Sequence, residues 1–296
     1  MYLTRYLDPV TGEARIGLET EDSSLHTLSV TDLPDLLAQS RAEIAAIIAA
    51  PGAVVEGPVR WLPPVTGRTE VWAAGVTYLR SREARIEESQ VKDVYSKVYD
   101  AERPELFFKS PAWRVMTDDE PIGIRADSEL NVPEPEVAVV ANADGEAIGY
   151  TICNDVSSRS IEGENPLYLP QAKVYAGACA LHRRIRLAST IDDPQDLAVS
   201  ASITRDGKIV WQADTSTARM HRTFTDLLGW AFRGDHHPEG MVLSTGTGIV
   251  PDIDITLATG DEVVIAVDGI GELRNTVVAG KDAFTPTVLA REVVRR

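Results

Sequence analysis

Apolar and polar residues alternate along the chain with patterns that predict where its helices and strands lie. Residues 1–20 predict a hairpin around the turn sequence PVTG, and residues 32–50 predict a helix that ends at Pro51-Gly52. A second helix is predicted over roughly residues 80–100. The apolar stripe of this second helix consists of Ile86, Val91, Val94, Tyr95 and Val98.

Strands dominate the chain from residue 105 onward, with a further helix predicted at FTDLLGWAF. Turn signals separate the strands at Asp144-Gly145, Asp206-Gly207, Gly260-Asp261 and Asp268-Gly269. Breaks at Pro63-Pro64 and Gly67 predict a small N-terminal domain over residues 1–65 and a larger domain over residues 66–296. The pattern therefore predicts an α+β protein with a mainly antiparallel core.

The segment PEPEVAVV places two carboxylates side by side immediately before an apolar strand. Glu134 and Glu136 are two positions apart in an extended segment, so their side chains lie on the same face. Like charges at that distance repel each other, and a compensating charge is therefore expected nearby.

The residues that follow predict a hairpin that brings a third carboxylate to the same place. With Asp144-Gly145 as a two-residue type I′ turn, the numbers of paired residues sum to 289. The apolar face then consists of the pairs Val137–Ile152, Val139–Tyr150 and Ala141–Ile148. The opposite face carries the pairs Glu134–Asp155 and Glu136–Cys153. Slipping the register by one residue would turn the valines outward, which supports this pairing.

Three carboxylates at one end of a hairpin fit a hard divalent cation. The hairpin itself contains no basic residue that could neutralise them. Ligand sets made only of oxygen favour magnesium, manganese or calcium over zinc. The alternative is an exposed acidic edge on a strongly acidic protein, and the sequence leaves both interpretations open.

Composition and charge narrow the class of protein further. The 296 residues carry a formal net charge of −16, which argues against nucleic acid and anionic membrane surfaces as partners. The segment MYLTRYLDPV has neither the basic start nor the apolar core of a leader peptide, so we expect a cytoplasmic protein. Two cysteines predict no disulfide framework, and the spacing of the five histidines does not predict zinc.

Lysine is rare in this chain, which makes each lysine informative. The chain has six lysines among its 29 basic residues. A buried lysine can lose its proton and act as a base, whereas an arginine stays charged. Lys109 and Lys173 lie in the least ordinary surroundings of the six.

Several segments resemble the fumarylacetoacetate hydrolase family. The resemblance covers most of the chain from about residue 70 and follows the order of segments in the family. The matching segments are GVTYLRSREAR (75–85), RPELFFKSP (103–111), PEPEVAVV (133–140), YTICNDVSSR (150–159), LPQAKVYAGACAL (169–181), STGTGIVP (244–251) and GDEVVIAVDGIGELRNTV (260–277).

The resemblance implies a fold, an assembly and a cofactor. The implied fold has layered, mainly antiparallel sheets with a roll-like or barrel-like core and a small N-terminal appendage. The implied assembly is a homodimer or higher homo-oligomer. The implied cofactor is Mg²⁺, with Mn²⁺ or Ca²⁺ as substitutes, held by Glu134, Glu136 and Asp155.

This chain departs from the family where its hydrolases activate water. Those hydrolases commonly carry G-x-N-Y-x-x-H-x-x-E, in which the His, assisted by the Glu, activates water. Gly75 and Tyr78 match, but Thr77, Ser81 and Ala84 replace the Asn, His and Glu. Hydrolysis would therefore lack its general base.

Three functions remain open on the sequence alone. The segments ENPLYLPQAKVY, RPELFFK and GVTYLRSREAR resemble a branch of dehydratases that act on 2-keto-3-deoxy sugar acids and form 2,5-dioxopentanoate from a pentonate. The second interpretation is a hydrolase or decarboxylase of acylpyruvates or oxaloacetate at the same site. The third is a binding protein in which the ion is purely structural. The first two imply a small 2-oxo acid as the substrate.

For a dehydratase, two residues are candidates for moving protons. Lys173 is the candidate base that removes the C3 proton, provided that burial lowers its pKa; the alternative is a structural ion pair with a nearby acid. Glu105 could protonate the departing C4 hydroxyl; the alternative is an acid on a strand edge at the surface.

Five further residues are candidate substrate contacts. Gly246 and Thr247 lie in STGTGIVP, where the family binds a substrate carboxylate, although a tight turn alone would also need the glycine. Tyr78 could cover the site or merely pack. Lys109 could orient a carboxylate or pair with Asp155 or Glu136, and Arg82 could contact sugar hydroxyls or lie in solvent.

Overall fold

β-Strands are the main regular elements of the fold, and the computed structural model describes residues 1–88, 97–285 and 287. The strands are β1 (Tyr2–Leu7), β2 (Ala14–Glu19), β3 (Leu25–Thr27), β4 (Arg60–Leu62), β5 (Glu70–Gly75), β6 (Glu105–Pro111), β7 (Ile122–Ile124), β8 (Asn131–Val132), β9 (Pro135–Ala141), β10 (Ala147–Asp155), β11 (Ser157–Ser158), β12 (Cys179–Leu181), β13 (Arg184–Leu187), β14 (Ala198–Arg205), β15 (Lys208–Ser216), β16 (Met241–Ser244), β17 (Glu262–Val267) and β18 (Gly271–Ala279). The α-helices are α1 (Leu33–Leu37), α2 (Arg41–Ala49), α3 (Leu79–Glu88), α4 (Arg159–Glu164), α5 (Leu169–Lys173) and α6 (Phe224–Ala231).

Two large sheets account for most of the described strands. The first has the order β3-β2-β1-β13-β10-β9-β16-β5-β6, with β12 beside β10 and β4 beside β1. The second has the order β15-β14-β17-β18-β7. Only β5–β16 and β7–β18 pair in parallel among the described strands. The predicted α+β fold with layered, mainly antiparallel sheets is confirmed, although neither described sheet closes into a barrel.

Strands β9 and β10 lie at the centre of the molecule and are buried on both faces. On one face, Val139 and Ile152 belong to a core that also contains Ile265 of the second sheet. On the other face, Val140 shares a core with Leu36 of helix α1. Fully burying such a side chain contributes roughly 1.5–3 kcal/mol, so this double burial fixes the position of the strands firmly.

The loop between β9 and β10 differs from the predicted two-residue turn. A type I′ turn needs positive φ at both central residues, but only Gly145 has it, at +77°, and Asp144 does not. The Gly145 N–H donates to Asn142 O over 3.0 Å, and Asn142 N–H donates to Glu146 O over 3.0 Å. The loop therefore contains three residues and ends in a left-handed glycine.

The extra loop residue shifts the register near the turn, and a bulge then restores it. Ala141 faces Ala147 rather than the predicted Ile148, and the shift ends between Ala147 and Gly149. From there the predicted pairs are confirmed, namely Val139–Tyr150, Val137–Ile152 and Glu136–Cys153. The Asp155 N–H donates to Glu134 O over 3.0 Å, which continues this register to the end of the strand.

The helices follow the sequence pattern in part. The predicted helix over residues 32–50 is two helices, because Ser40 caps α2 in a capping box with Glu43. The predicted helix over residues 80–100 begins as α3, whereas Val91, Val94 and Tyr95 of its stripe lie outside the described residues. None of the described helices is both long enough and apolar enough to cross a membrane.

The first 65 residues contribute strands to the first large sheet. Strand β1 pairs with β2, β4 and β13, and Leu3 and Ile16 share a core with Val140 of β9. The division into domains at residue 65 stays a prediction.

Candidate active site

Strands β9 and β10 place three buried carboxylates at one end of the first large sheet. Glu136 lies within β9, Glu134 precedes it, and Asp155 ends β10. One oxygen from each carboxylate lies within 4.8 Å of the other two. Glu134, Glu136 and Asp155 are only 3%, 2% and 1% exposed. The alternative of an exposed acidic edge is therefore wrong.

Three buried cations from other elements surround these carboxylates. The Lys173 ammonium at the end of α5 lies 2.7 Å from Glu134 Oε2 and 3.1 Å from Asp155 Oδ2. Lys109 of β6 forms an ion pair with Asp155 Oδ1. Arg159 at the start of α4 donates to Glu134 Oε1 over 2.8 Å. The expected compensating charge thus comes from outside the hairpin.

Glu136 is held by neutral donors instead. Its Oε2 accepts hydrogen bonds from Ser244 Oγ over 2.6 Å and from Gly246 N–H over 2.7 Å. Burial raises the pKa of the Glu136 carboxyl well above its usual 4.5, and the charges of Asp155 and Glu134 raise it further.

The donor set fits a hard divalent cation. Three carboxylates converge, all ligand atoms are oxygens, and the crowding of like charges raises the pKa of Glu136. A divalent ion would stabilise the ionised forms of all three residues. Glu134, Glu136 and Asp155 are thus the residues that would hold the ion.

A narrow recess with a cavity volume of about 10 Å³ lies against the carboxylates, and both candidate proton-transfer residues line it. Lys173 and Glu105 line it together with Phe107. The Lys173 ammonium lies 5.6 Å from the centre of the Phe107 ring and also donates to Ser157 Oγ over 2.5 Å. Lys173 therefore takes part in ion pairs, as one alternative predicted, and also faces the recess.

Glu105 lies against the backbone of Gly75. A Cβ added at Gly75 would come within 2.1 Å of Glu105 Oε2, a distance at which something must shift. The missing side chain at position 75 therefore leaves the space that the Glu105 carboxylate occupies. Glu105, the first residue of the edge strand β6, is half-buried and lines the recess, so its role as an acid stays a prediction.

Lys109 lies behind the carboxylates rather than in the recess. Its ammonium donates to Val156 O over 3.1 Å and to Lys173 O over 2.6 Å, and it pairs with Asp155. Because it contacts both the backbone of Lys173 and a carboxylate, Lys109 ties α5 to the end of β10. This geometry matches the predicted pairing with Asp155.

The glycine-flanked loop at residues 244–248 closes another side of the recess. Gly246 has φ of +95° and donates its N–H to Glu136, so the turn and the carboxylate are directly linked. A Cβ at Gly246 would lie 1.9 Å from Thr77 Oγ1. Thr247 lines the recess, but its hydroxyl donates to Ile249 O over 2.8 Å. The loop is therefore a tight turn that needs its glycine and also lines the recess, and its contact with a substrate carboxylate stays a prediction.

Tyr78 and Arg82 lie near the start of α3. Tyr78 is buried, and burial together with the charge of Glu136 raises the pKa of its phenol. The Arg82 guanidinium lies 5.3 Å from the centre of the Tyr99 ring and is half-buried. Among the described residues, neither of these two side chains lines the recess, whereas Ser81, which stands in place of the family histidine, does.

The sequence did not single out four residues that the site uses. Arg159 and Ser157 contact Glu134 and Lys173, Ser244 contacts Glu136, and Glu162 lines the recess. One available signal was the change from apolar to polar residues within YTICNDVSSR, where β10 ends. No local pattern indicates that Arg159 turns back toward Glu134.

Known proteins are similar to this chain over the same region. The family model described as Fumarylacetoacetate (FAA) hydrolase C-terminal matches residues 70–278. A protein of Haloferax volcanii named "Probable 2-keto-3-deoxyxylonate dehydratase" is 48% identical over 70% of this chain and 72% of its own length. The 2-dehydro-3-deoxy-D-arabinonate dehydratase of Saccharolobus solfataricus is 42% identical over 69% of this chain and 70% of its own.

A solved structure resembles the whole molecule. The structure of 2-keto-3-deoxy-D-arabinonate dehydratase complexed with magnesium and 2,5-dioxopentanoate superimposes with a TM-score of 0.83. It is 33% identical in sequence, and the match covers 95% of this chain and all of that one.

Proposed function

Because the chain belongs to the fumarylacetoacetate hydrolase family, we propose that it is a divalent-metal-dependent dehydratase of 2-keto-3-deoxy sugar acids. As a hydro-lyase it converts 2-keto-3-deoxy-D-arabinonate or 2-keto-3-deoxy-D-xylonate to 2,5-dioxopentanoate and water. The observation that carries this proposal is the recess in which Lys173 and Glu105 meet the three carboxylates. The names of the two similar dehydratases support the choice of substrate.

Magnesium is the proposed ion, since the similar solved structure holds it. Bound to Glu134, Glu136 and Asp155, the ion would supply Lewis-acid stabilisation of the negative charge that develops on the substrate 2-oxo oxygen. Mn²⁺ has the same preference for oxygen ligands and is the expected substitute.

The protein residues move the protons. With the ion bound to Glu134 and Asp155, Lys173 is proposed to be in its neutral amine form. This amine takes a proton from C3, and the Glu105 carboxyl donates a proton to the C4 hydroxyl, which leaves as water. A proton shift from C5 to C3 then gives the enol of C4 and C5, and transfer of the enol hydroxyl proton to C4 leaves the C5 aldehyde. These reaction steps remove one molecule of water and need no nucleophilic water, so a histidine at position 81 is not required.

The remaining candidate residues bind the substrate or position the groups that act on it. We assign the Gly246–Thr247 segment to the substrate carboxylate, because it lines the recess next to Glu136. Lys109 positions Asp155 and the end of α5. Tyr78 and Arg82 are proposed to approach the sugar chain from the start of α3.

We further propose that the protein acts in the cytoplasm as a homodimer, and the two free, buried cysteines agree with a reducing compartment.

Product analysis tests the proposal. Magnesium-loaded protein is incubated with a mixture of the two C4 epimers of 2-keto-3-deoxypentonate, and the products are identified by mass spectrometry and NMR. We expect 2,5-dioxopentanoate, with one epimer left over, and no product from Glu134→Gln. Glu129→Gln, which changes an exposed acid, is the matched control. Metal-dependent release of pyruvate from oxaloacetate or an acylpyruvate, without dehydration, would instead support the decarboxylase or hydrolase.

A further inference from the structure

Val76 has a backbone conformation that valine rarely adopts. Its φ is +52°, in the left-handed region that glycine reaches freely and that a β-branched side chain crowds. The other non-glycine residues with positive φ in the described part of the chain, Ser23, Asp119 and Asp206, are polar and unbranched at Cβ. Such conformations cost free energy, and they cluster at functional sites.

The chain on both sides of Val76 is fixed, so the conformation is imposed on it. Gly75 pairs with Glu105 at the end of β5. Thr77 Oγ1 donates to Thr245 O over 2.7 Å, which ties the next residue to the loop at residues 244–248. The left-handed turn therefore leads the chain from β5 to the loop that closes one side of the recess.

Packing in the core does not explain why a valine makes this turn. Val76 is only 5% exposed, but it belongs to neither of the two apolar cores that the described residues form. It lines the recess instead. Because glycine would make the same turn at a lower cost, the contribution of the valine side chain lies in the recess.

Val76 lies at the end of the recess where the far end of the substrate belongs. In the proposed reaction Glu105 donates to the C4 hydroxyl, so C4 lies beside Glu105. Val76 directly follows Gly75, against whose backbone the Glu105 carboxylate lies. Phe107 is two positions from Glu105 on β6, hence on the same face, and also lines the recess. The carbon chain beyond C4 therefore meets an apolar wall made by Val76 and Phe107.

We infer that Val76 limits the length of the substrate, so that five-carbon 2-keto-3-deoxy acids bind in preference to six-carbon ones. The cavity volume of the recess is only about 10 Å³, so a single side chain in its wall decides which chain fits. A six-carbon acid would press one more carbon against the valine and leave its added hydroxyl facing an apolar wall. The inference rests on the proposed function and deepens it by naming the residue that selects chain length.

Calorimetric titration of magnesium-loaded protein with 2-oxopentanoate and with 2-oxohexanoate tests this inference. These acids have five and six carbons and no C4 hydroxyl, so they bind without being dehydrated. We expect the wild type to bind the five-carbon acid about tenfold more tightly, the discrimination that one methylene gives in an apolar pocket. The preference should fall to about threefold in Val76→Ala and to about one in Val76→Gly.

Two control variants make the same kinds of change outside the recess. Asp206→Gly relieves another left-handed position, and Val199→Ala shortens a buried valine in the core between the two large sheets. Neither should change the ratio of the two dissociation constants. Thermal unfolding checks the strain itself, since Val76→Gly should melt at a higher temperature than Val76→Ala, the reverse of the order within a helix or strand.

Two results would overturn the inference. One is equal binding of the two acids by the wild type, and the other is a preference that persists in both Val76 variants. Val76→Ala decides alone if Val76→Gly does not fold. Because the acids are unreactive, a protein that selects chain length but dehydrates nothing would refute only the proposed function.

Discussion

At the scale of single residues, Lys173 has the most demanding position in the site. Its ammonium contacts Glu134, Asp155 and Ser157, and it is 1% exposed. A lysine with only a structural role would need the ion pairs, whereas a base also needs access to the substrate. Lys173 has the ion pairs and, because it lines the recess, it also has access to the substrate.

Replacing Lys173 should therefore stop turnover rather than substrate binding. In Lys173→Met we expect kcat to fall by about 10²–10⁴, the usual contribution of a general base, with a smaller change in KM. Steady-state kinetics with magnesium-loaded protein measure this. Lys208→Met, at an exposed lysine of β15, should leave kcat unchanged. A kcat within threefold of the wild type in Lys173→Met would assign the proton transfer to another residue.

Gly75 affects the site through the space that it leaves for the Glu105 carboxylate. An added Cβ would meet the far end of the flexible Glu105 side chain, so the carboxylate would be displaced while the fold tolerates the change. We expect Gly75→Ala to lower kcat by about 10²-fold, because misplacing a catalytic group by about an ångström costs that much.

Melting temperature and kinetics together test this prediction. Gly229→Ala, where an added Cβ meets nothing within 4 Å, should leave both kcat and the fold intact. If Gly75→Ala retained full kcat, the observed position of Glu105 would not be the one used in catalysis.

At the scale of elements, the sequence predicted the hairpin well because two local signals agreed. The apolar pairs Val137–Ile152 and Val139–Tyr150 predicted the register of β9 and β10, and the Asp144-Gly145 dipeptide predicted the turn to within one residue. The three-residue loop and the bulge that cancels it lie outside what the dipeptide encodes. The register at Glu136 was predicted correctly because that bulge restores it before the site.

The cations of the site could not be predicted in the same way. Lys109 and Arg159 reach the carboxylates from β6 and α4, and this meeting depends on how β6 and α4 pack around β9 and β10. No spacing in the sequence encodes such a long-range contact. Lys109 was singled out only because lysine is rare, and Arg159 is one of many arginines.

An ion pair between elements gives the fold a pH dependence outside the site. Arg205 at the end of β14 holds Asp261, which precedes β17 and is 1% exposed. Burial alone would raise the pKa of the Asp261 carboxyl, but hydrogen bonds from Arg205 and from Ala258 N–H outweigh it and lower the pKa below 3.8. The pair therefore stabilises the fold above the unfolded-state pKa, and this stability is lost as pH falls through the lower folded-state pKa.

Urea denaturation of Arg205→Met at several pH values tests this. At pH 7 we expect the free energy of unfolding to fall by about 1–2 kcal/mol, since the Arg205 guanidinium is partly exposed. The difference from the wild type should shrink below about pH 4, where the carboxyl becomes protonated. Arg274→Met, which removes ion pairs that are two-fifths to half exposed, should change little. A difference that stays constant down to pH 3 would contradict the role of Asp261.

At the scale of the whole molecule, the ion should be needed for chemistry and not for folding. Three buried cations already oppose the three carboxylates, so removing the ion leaves no large uncompensated charge. We expect a chelator to abolish turnover while circular dichroism stays unchanged and Tm falls by only the few degrees due to ligand binding.

Added magnesium should restore the activity of the chelated protein. Unfolding on chelation would instead mean that the ion is structural, which is the third function left open by the sequence.

The charge of the whole molecule also governs how fast substrate arrives. Lys109, Arg159 and Lys173 oppose the three carboxylates that would hold the ion, but the chain as a whole carries a formal net charge of −16. An anionic sugar acid must then approach through a repulsive field that extends roughly 30 Å at 0.01 M salt and roughly 8 Å at 0.15 M. We expect kcat/KM to rise with ionic strength while kcat stays constant, the opposite of electrostatic steering. An acidic protein whose substrate is an anion thus gains efficiency as the surrounding medium becomes saltier.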